Sequence, residues 1–143
     1  MALTILRLPL KQKGQAMVQF AVFLPVLIIL LMIVADTAIT SARLMDAVAV
    51  SDLAAHAGAQ EVKVLPNGKI EPSENAENVA AAYFMQQAPP YVSLVSIVCD
   101  VRKGKPACEL VVRVHTAGVM VGQNWITVRA LGYLAYGVTR DDQ

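Results

Sequence analysis

From Gly14 through Ala35 the chain carries no charged side chain, and most of that stretch, FAVFLPVLIILLMIVA, is almost unbroken hydrocarbon. A helix needs about 20 predominantly apolar residues to cross a bilayer, and in lipid only an element that satisfies its own backbone hydrogen bonds can cross. A transmembrane helix is therefore expected here in spite of Pro25. Proline removes one donor and crowds the preceding turn, which predicts a bend or local loosening near Phe20 to Leu24. A cleaved signal for ordinary secretion is the weaker expectation: the run exceeds the roughly 7–15 apolar residues of such signals, and no tidy small-x-small cleavage site follows it.

The charges around this stretch set its direction. Arg7, Lys11 and Lys13 stand before it, while every Asp and Glu lies after it, from Asp36 onward. Basic flanks stay in the cytoplasm, so the sequence predicts a single-pass protein of the inner (cytoplasmic) membrane. Its N-terminus is expected in the cytoplasm and its C-terminal domain in the periplasm or outside the cell. With 12 basic against 11 acidic residues the net charge is only +1, too little for a field that would hold nucleic acid by its phosphates. Membrane lipid is the expected surroundings.

Beyond the membrane, DTAITSARLMDAVAVSDLAAHAGAQEVKV runs without proline or a turn cluster up to Pro66. Its alanine content suits a helix prolonged out of the bilayer, so one rod is expected from about Gln15 to about Lys63. Its polar residues do not keep to one stripe: Asp36, Arg43 and Glu61 group on one side, Asp52, His56 and Lys63 on the other. That pattern implies neighbours on more than one side. Pro66, Asn67-Gly68 and Pro72 then supply turn chemistry. Ser73, with Glu74 and Glu77 after it, reads as the start of a second helix that must stop before Pro89-Pro90. Three β-rich stretches follow, YVSLVSIVCDV, ACELVVRVHTAGV and WITVRALGYLAYGV. Leu110, Val112 and Val114 alternate with Val111, Arg113 and His115, as in a half-buried strand. Arg102 to Pro106 reads as a hairpin tip, and Gly118 and Gly122 flank the next turn. The expected fold class is α+β: a long N-terminal helix, a second short helix that packs on the sheet, and a three-stranded antiparallel meander. The expected divisions are a cytoplasmic leader over 1–14, a transmembrane helix over 15–36, an exported helical extension over 37–65 and an exported α+β head over 66–143.

Cys99 and Cys108, the only cysteines, fall at matching ends of two predicted strands around that hairpin tip. In an oxidising compartment this spacing reads as a disulfide. Two thiols without a His or acid cluster beyond Asp100 do not make a closed metal site, and neither a metal nor a cofactor is expected. Ser51, Asp52 and His56 form a triad only on paper, because one helical turn does not set nucleophile, base and carboxylate in series. His115 stands alone on a strand. No Walker loop, dinucleotide fingerprint or HExxH is present, so no catalytic residues and no enzymatic activity are expected.

The stretch KGQAMVQFAVFLPVLIILLMIVAD resembles the N-terminal signature of TadE/TadG-like proteins, minor pilins or pseudopilins of the Tad (Flp) pilus assembly system. Lys13-Gly14 take the family's basic-glycine places, Phe20 its phenylalanine, Pro25 its proline and Asp36 the aspartate that closes the membrane helix. The resemblance is specific from Lys13 to Asp36 and architectural beyond. It implies a prepilin-type leader removed by a prepilin peptidase between Gly14 and Gln15, and partnership with other pilin-like or Tad assembly subunits through the membrane helix and head. The family's glutamate at the fifth mature position is Gln19 here. A carboxylate there can neutralise the new terminal ammonium within the membrane, where an unpaired charge is expensive, whereas Gln19 only hydrogen-bonds. Polymerisation into a filament body is accordingly the less secure expectation, and service as an unpolymerised or low-copy assembly subunit stays open.

Apart from the resemblance, Ala35, Ala38, Ala42 and Ala49 would let another helix approach closely, although helix propensity alone also favours alanine. The expected function is a structural subunit or assembly factor of a Tad-type pilus or a related secretion apparatus. The alternative is a single-pass membrane-anchored protein whose exported domain senses or binds a ligand.

Overall fold

The computed structural model describes residues 11–119 and 122–135. Residues 1–10 of the expected leader, and Tyr136 to Val138 of the predicted third strand, lie outside the described residues.

The protein is an α+β fold built on one long helix, α1 (Lys11–Gln60). It is unbroken across Pro25 and across the turn from Phe20 to Leu24, so the expected loosening does not interrupt it. A short hairpin follows, β1 (Val62–Val64) paired antiparallel with β2 (Ile70–Pro72). Then come α2 (Ala76–Gln87) and a meander of β3 (Val92–Arg102), β4 (Lys105–Gly118) and β5 (Gly122–Tyr133), with β4 in the middle.

The helical extension expected to residue 65 stops five residues sooner at Gln60 in this structure. Glu61 donates its N–H back to Gly58, and its carbonyl accepts from Ser73. The Val-Lys-Val alternation that follows therefore enters the hairpin with β2, where β-branched residues suit a pleated surface. Glu61 and Lys63 accordingly leave the helix, and their expected places around it do not exist.

The sheet has one covered and one open face, as antiparallel sheets commonly do. Cys108, Leu110, Val112, Val114 and Thr116 of β4 are buried, whereas Glu109, Val111, Arg113 and His115 turn the other way. The expected alternation is thus present. The second helix packs on the sheet as expected, at β3, and also on α1, while α1 itself lies over β4 and β5. The reason is the composition of the buried stripe of α1, which is Ala47, Ser51, Ala54, Ala55, Gly58 and Ala59. Side chains this small let the helix backbone descend onto the strands. A Cβ added to Gly132 of β5 would lie 2.5 Å from the carbonyl carbon of Ala55 and from the amide nitrogen of His56. At Gly58 it would meet the Ala80 Cβ at 2.8 Å and the Cys108 Sγ at 3.0 Å. Phe84, one α-helical step beyond Ala76 and Ala80 on the buried side of α2, fills the space left between the helices and β3.

The start of α2 also differs in detail. Asn75 precedes the helix without a side-chain cap, and Ser73, the expected cap, instead receives the Ala76 N–H on its carbonyl at 3.0 Å. The β3–β4 turn is two residues, Lys103 (φ 53) and Gly104 (φ 74), the positive-φ pair whose twist matches a hairpin. A register shift between Leu94 and Ser96 places Val95 as a bulge in β3.

Candidate functional site

The residues that carry the functional argument lie along α1. Lys13, Gly14 and Gln15 fall in its first turns. Gln19, Phe20 and Pro25 are exposed. Phe20 is 70% exposed, and the large apolar residues from Met17 to Val34 are exposed with it. This stretch of α1 is long and apolar enough to cross a membrane, and none of it is buried inside the protein. Exposed apolar surface on this scale marks an interaction with lipid or with another protein.

Asp36 lies where that stretch ends, and it is only 3% exposed. Its Oδ1 accepts the Val119 N–H at 3.0 Å, so the carboxylate ties the β4–β5 end of the head to the helix. Two turns further on, Arg43 donates to the His115 carbonyl at 3.1 Å and sits 5.0 Å from the centre of the Tyr91 ring. Tyr91 in turn donates its hydroxyl to Asp46 Oδ2 at 2.6 Å. Its phenol is held above the ordinary tyrosine range, chiefly by that hydrogen bond, then by burial and by the Asp46 charge, with Arg43 pulling the other way. The Arg43–Tyr91–Asp46 contact carried no recognisable motif. The sequence signal for it was only a charged pair three residues apart on an otherwise alanine-rich helix.

The opposite side of the extension is open. Ala35, Ala38, Ala42 and Ala49 are all exposed, together with Met45 and Leu53. The alanines singled out for close helix approach are therefore distinct from the alanines that hold the head.

Cys99 and Cys108 face each other in register and are joined as a disulfide, with their Cα atoms 4.0 Å apart. The expected bridge is present. Ser51 and His56 are used separately: the buried Ser51 hydroxyl donates to the Ala47 carbonyl at 2.6 Å. His56 is half-exposed, with Nε2 3.8 Å from Asp52 and Nδ1 3.3 Å from the Tyr133 carbonyl. His115 packs its ring 4.9 Å from that of Trp125.

An open polar hollow beside β2 and α2 is lined by Lys63, Glu71, Ser73, Glu74, Glu77 and Asp100. Glu74 pairs there with Lys63 at 3.4 Å, Glu77 accepts the Cys99 N–H at 3.3 Å and Asp100 accepts the Val101 N–H at 2.6 Å. Among the described residues, no group of three or more His, Cys, Asp and Glu side chains is placed to hold a metal ion. No family model, no curated protein and no solved structure matches the chain.

Proposed function

We propose that this chain is a membrane-anchored structural subunit or assembly factor, a TadE/TadG-like minor pilin or pseudopilin of a Tad/Flp-type pilus or a related secretion apparatus. Its work is assembly, without catalysis. Arg7, Lys11 and Lys13 hold the N-terminus in the cytoplasm, α1 crosses the inner membrane, and the head stands on the far side, where a disulfide persists.

The observation that carries the reading is the two-sidedness of α1. One side of its extension is covered by the sheet and α2, and the other, with Ala35, Ala38, Ala42 and Ala49, is exposed in line with the bare apolar stretch. A helix of this kind offers partner subunits a continuous face from the bilayer to the head. Packing and hydrogen bonds, rather than hydrophobic expulsion, drive helix association in lipid, and small side chains favour close packing.

Mass spectrometry of the mature protein, with and without a prepilin peptidase, tests the pilin-type route. A chain beginning at Gln15 is the expected product, and full-length protein alone would remove that route. A photo-crosslinker at Ala42 should recover other single-helix subunits, whereas recovery of none of them would favour a sensing or binding role for the head.

A further inference from the structure

We propose that the β4–β5 end of the head is a second membrane-contacting element, seated in the lipid headgroup layer beside the point where α1 leaves the bilayer. This rests on the reading of α1 as a membrane span.

The uncharged stretch from Gly14 to Ala35 is about 33 Å long at 1.5 Å per residue, enough to fill a hydrocarbon layer roughly 30 Å thick. Asp36 then stands at the boundary between hydrocarbon and headgroups. Because its carboxylate accepts the Val119 N–H at 3.0 Å, the β4–β5 end is fixed at the same depth. The contact is close: a Cβ on Gly118 would lie 2.8 Å from Asp36 Oδ2. Val119 beside it is 80% exposed, an apolar side chain that water does not favour and a lipid boundary does.

The surface rising from this point has the composition of a membrane interface. Trp125, the single tryptophan of the chain, is 60% exposed on the open face of the sheet. It pairs across the strands with His115, three residues from the last pair, Gly118 with Gly122. Three residues of strand span at most about 10 Å, and less in depth for a strand inclined to the membrane normal, so Trp125 stands at the outer edge of a headgroup layer roughly 5–8 Å deep. Arg43 is about 10 Å along the helix from Asp36, and so stands level with Trp125. Arg43, Pro90, Tyr91, His115, Ala117 and Trp125 line one open hollow. Tryptophan and tyrosine concentrate at headgroup level because each has an apolar body and a polar tip, and a guanidinium there meets lipid phosphate. Asp46, a carboxylate beside this group, accepts the Tyr91 hydroxyl. The occupant we assign is the bilayer that α1 itself crosses, because the Asp36–Val119 bond makes this surface continuous with the span.

The sole tryptophan makes the test direct. The purified full-length chain is reconstituted in phosphatidylethanolamine/phosphatidylglycerol vesicles carrying a quencher attached to lipid, either near the glycerol or at the end of the acyl chain. Trp125 emission should be blue-shifted, quenched more strongly by the shallow label than by the deep one, and less accessible to iodide than in denaturant. The double variant W125F/V119W, which moves the tryptophan to the depth of Asp36, should shift the balance toward the deep label. Emission typical of water, with full iodide access and no lipid quenching, would overturn the proposal. So would a blue shift without lipid quenching, which would mean that protein covers the surface. Alkaline carbonate extraction of the same vesicles separates the two readings. Retention with an unquenched Trp125 refutes only the interface contact, and release into the supernatant refutes the anchor.

Discussion

Gly132→Ala is the substitution that most directly probes how the head is attached to its helix. The new Cβ would sit 2.5 Å from the carbonyl carbon of Ala55 and the amide nitrogen of His56, and 2.7 Å from the Ala55 oxygen. Comfortable carbon contacts lie at about 3.5–4.0 Å, so α1 and β5 must separate by about 1 Å. All three obstructing atoms are helix backbone, which has no rotamer to turn aside. The methyl therefore acts as overpacking, with a cost in the range of about 1–3 kcal/mol. A loss of about 2 kcal/mol corresponds to a fall in Tm of roughly 8–16 °C for a domain of this size. The assay is a thermal melt of the full chain in detergent, followed by Trp125 fluorescence, with Gly104→Ala as comparison. Gly104 has open space around its missing Cβ, so alanine there meets only the strain of a φ of +74°, a cost of about 1–2 kcal/mol, and it separates backbone strain from overpacking. If Gly132→Ala melts with the parent chain, α1 does not lie on β5 as closely as described and the account of the small-residue stripe fails.

Three further outcomes are expected. Reducing Cys99–Cys108, which closes a loop of sequence separation 9, should cost up to about 2–3 kcal/mol by the chain-entropy relation; paired melts with and without reductant measure it, and identical melts would show that the hairpin turn alone sets that loop. Asp36→Ala should remove a charge-assisted bond to Val119 and weaken the β4–β5 end by about 1–3 kcal/mol, visible as faster amide exchange at Gly118 and Val119 with little change in α2. Tyr91, raised above the ordinary tyrosine range by Asp46, should ionise at higher pH than a free tyrosine. The stability that this raised value contributes is complete at neutral pH and is lost as pH climbs through it. Tyrosinate absorbance, assigned with Tyr91→Phe, should show the transition moving down in Asp46→Ala, and an unchanged titration would refute the coupling.

Element type was legible wherever one periodicity dominated. The uncharged run forced a helix through Pro25, and the alternation of Leu110, Val112 and Val114 placed the covered face of β4 correctly. The Cys99–Cys108 pairing was legible because the two thiols bracket a turn of defined length. Tertiary preference was harder to read. Nothing local distinguishes Ala47, Ala54, Ala55 and Ala59, which lie under the sheet, from Ala35, Ala38, Ala42 and Ala49, which do not. Alanine has high helix propensity on either side, and only the partner surface decides. For the same reason the sequence pointed to α2 packing on the sheet, which it does at β3, but not to the small residues of α1 that bring the longer helix over β4 and β5. The end of α1 was missed because Val-Lys-Val is too short to outweigh a run of alanines until β2 is there to pair with it. The Arg43–Tyr91–Asp46 contact joins residues 45 positions apart, a distance over which spacing rules say nothing.

Because α1 supplies Ala47, Ala54, Ala55 and Ala59 to the buried cluster, the covered face of β4 and β5 is completed only when the strands meet it. The joining contacts are also remote along the chain, 77 residues between His56 and Tyr133 and 83 between Asp36 and Val119. A ribosome delivers the helix first and β5 last, so the sheet must close onto a template already in place. Rotation or tilt of that template then moves the entire head with it, as a key turns its bow.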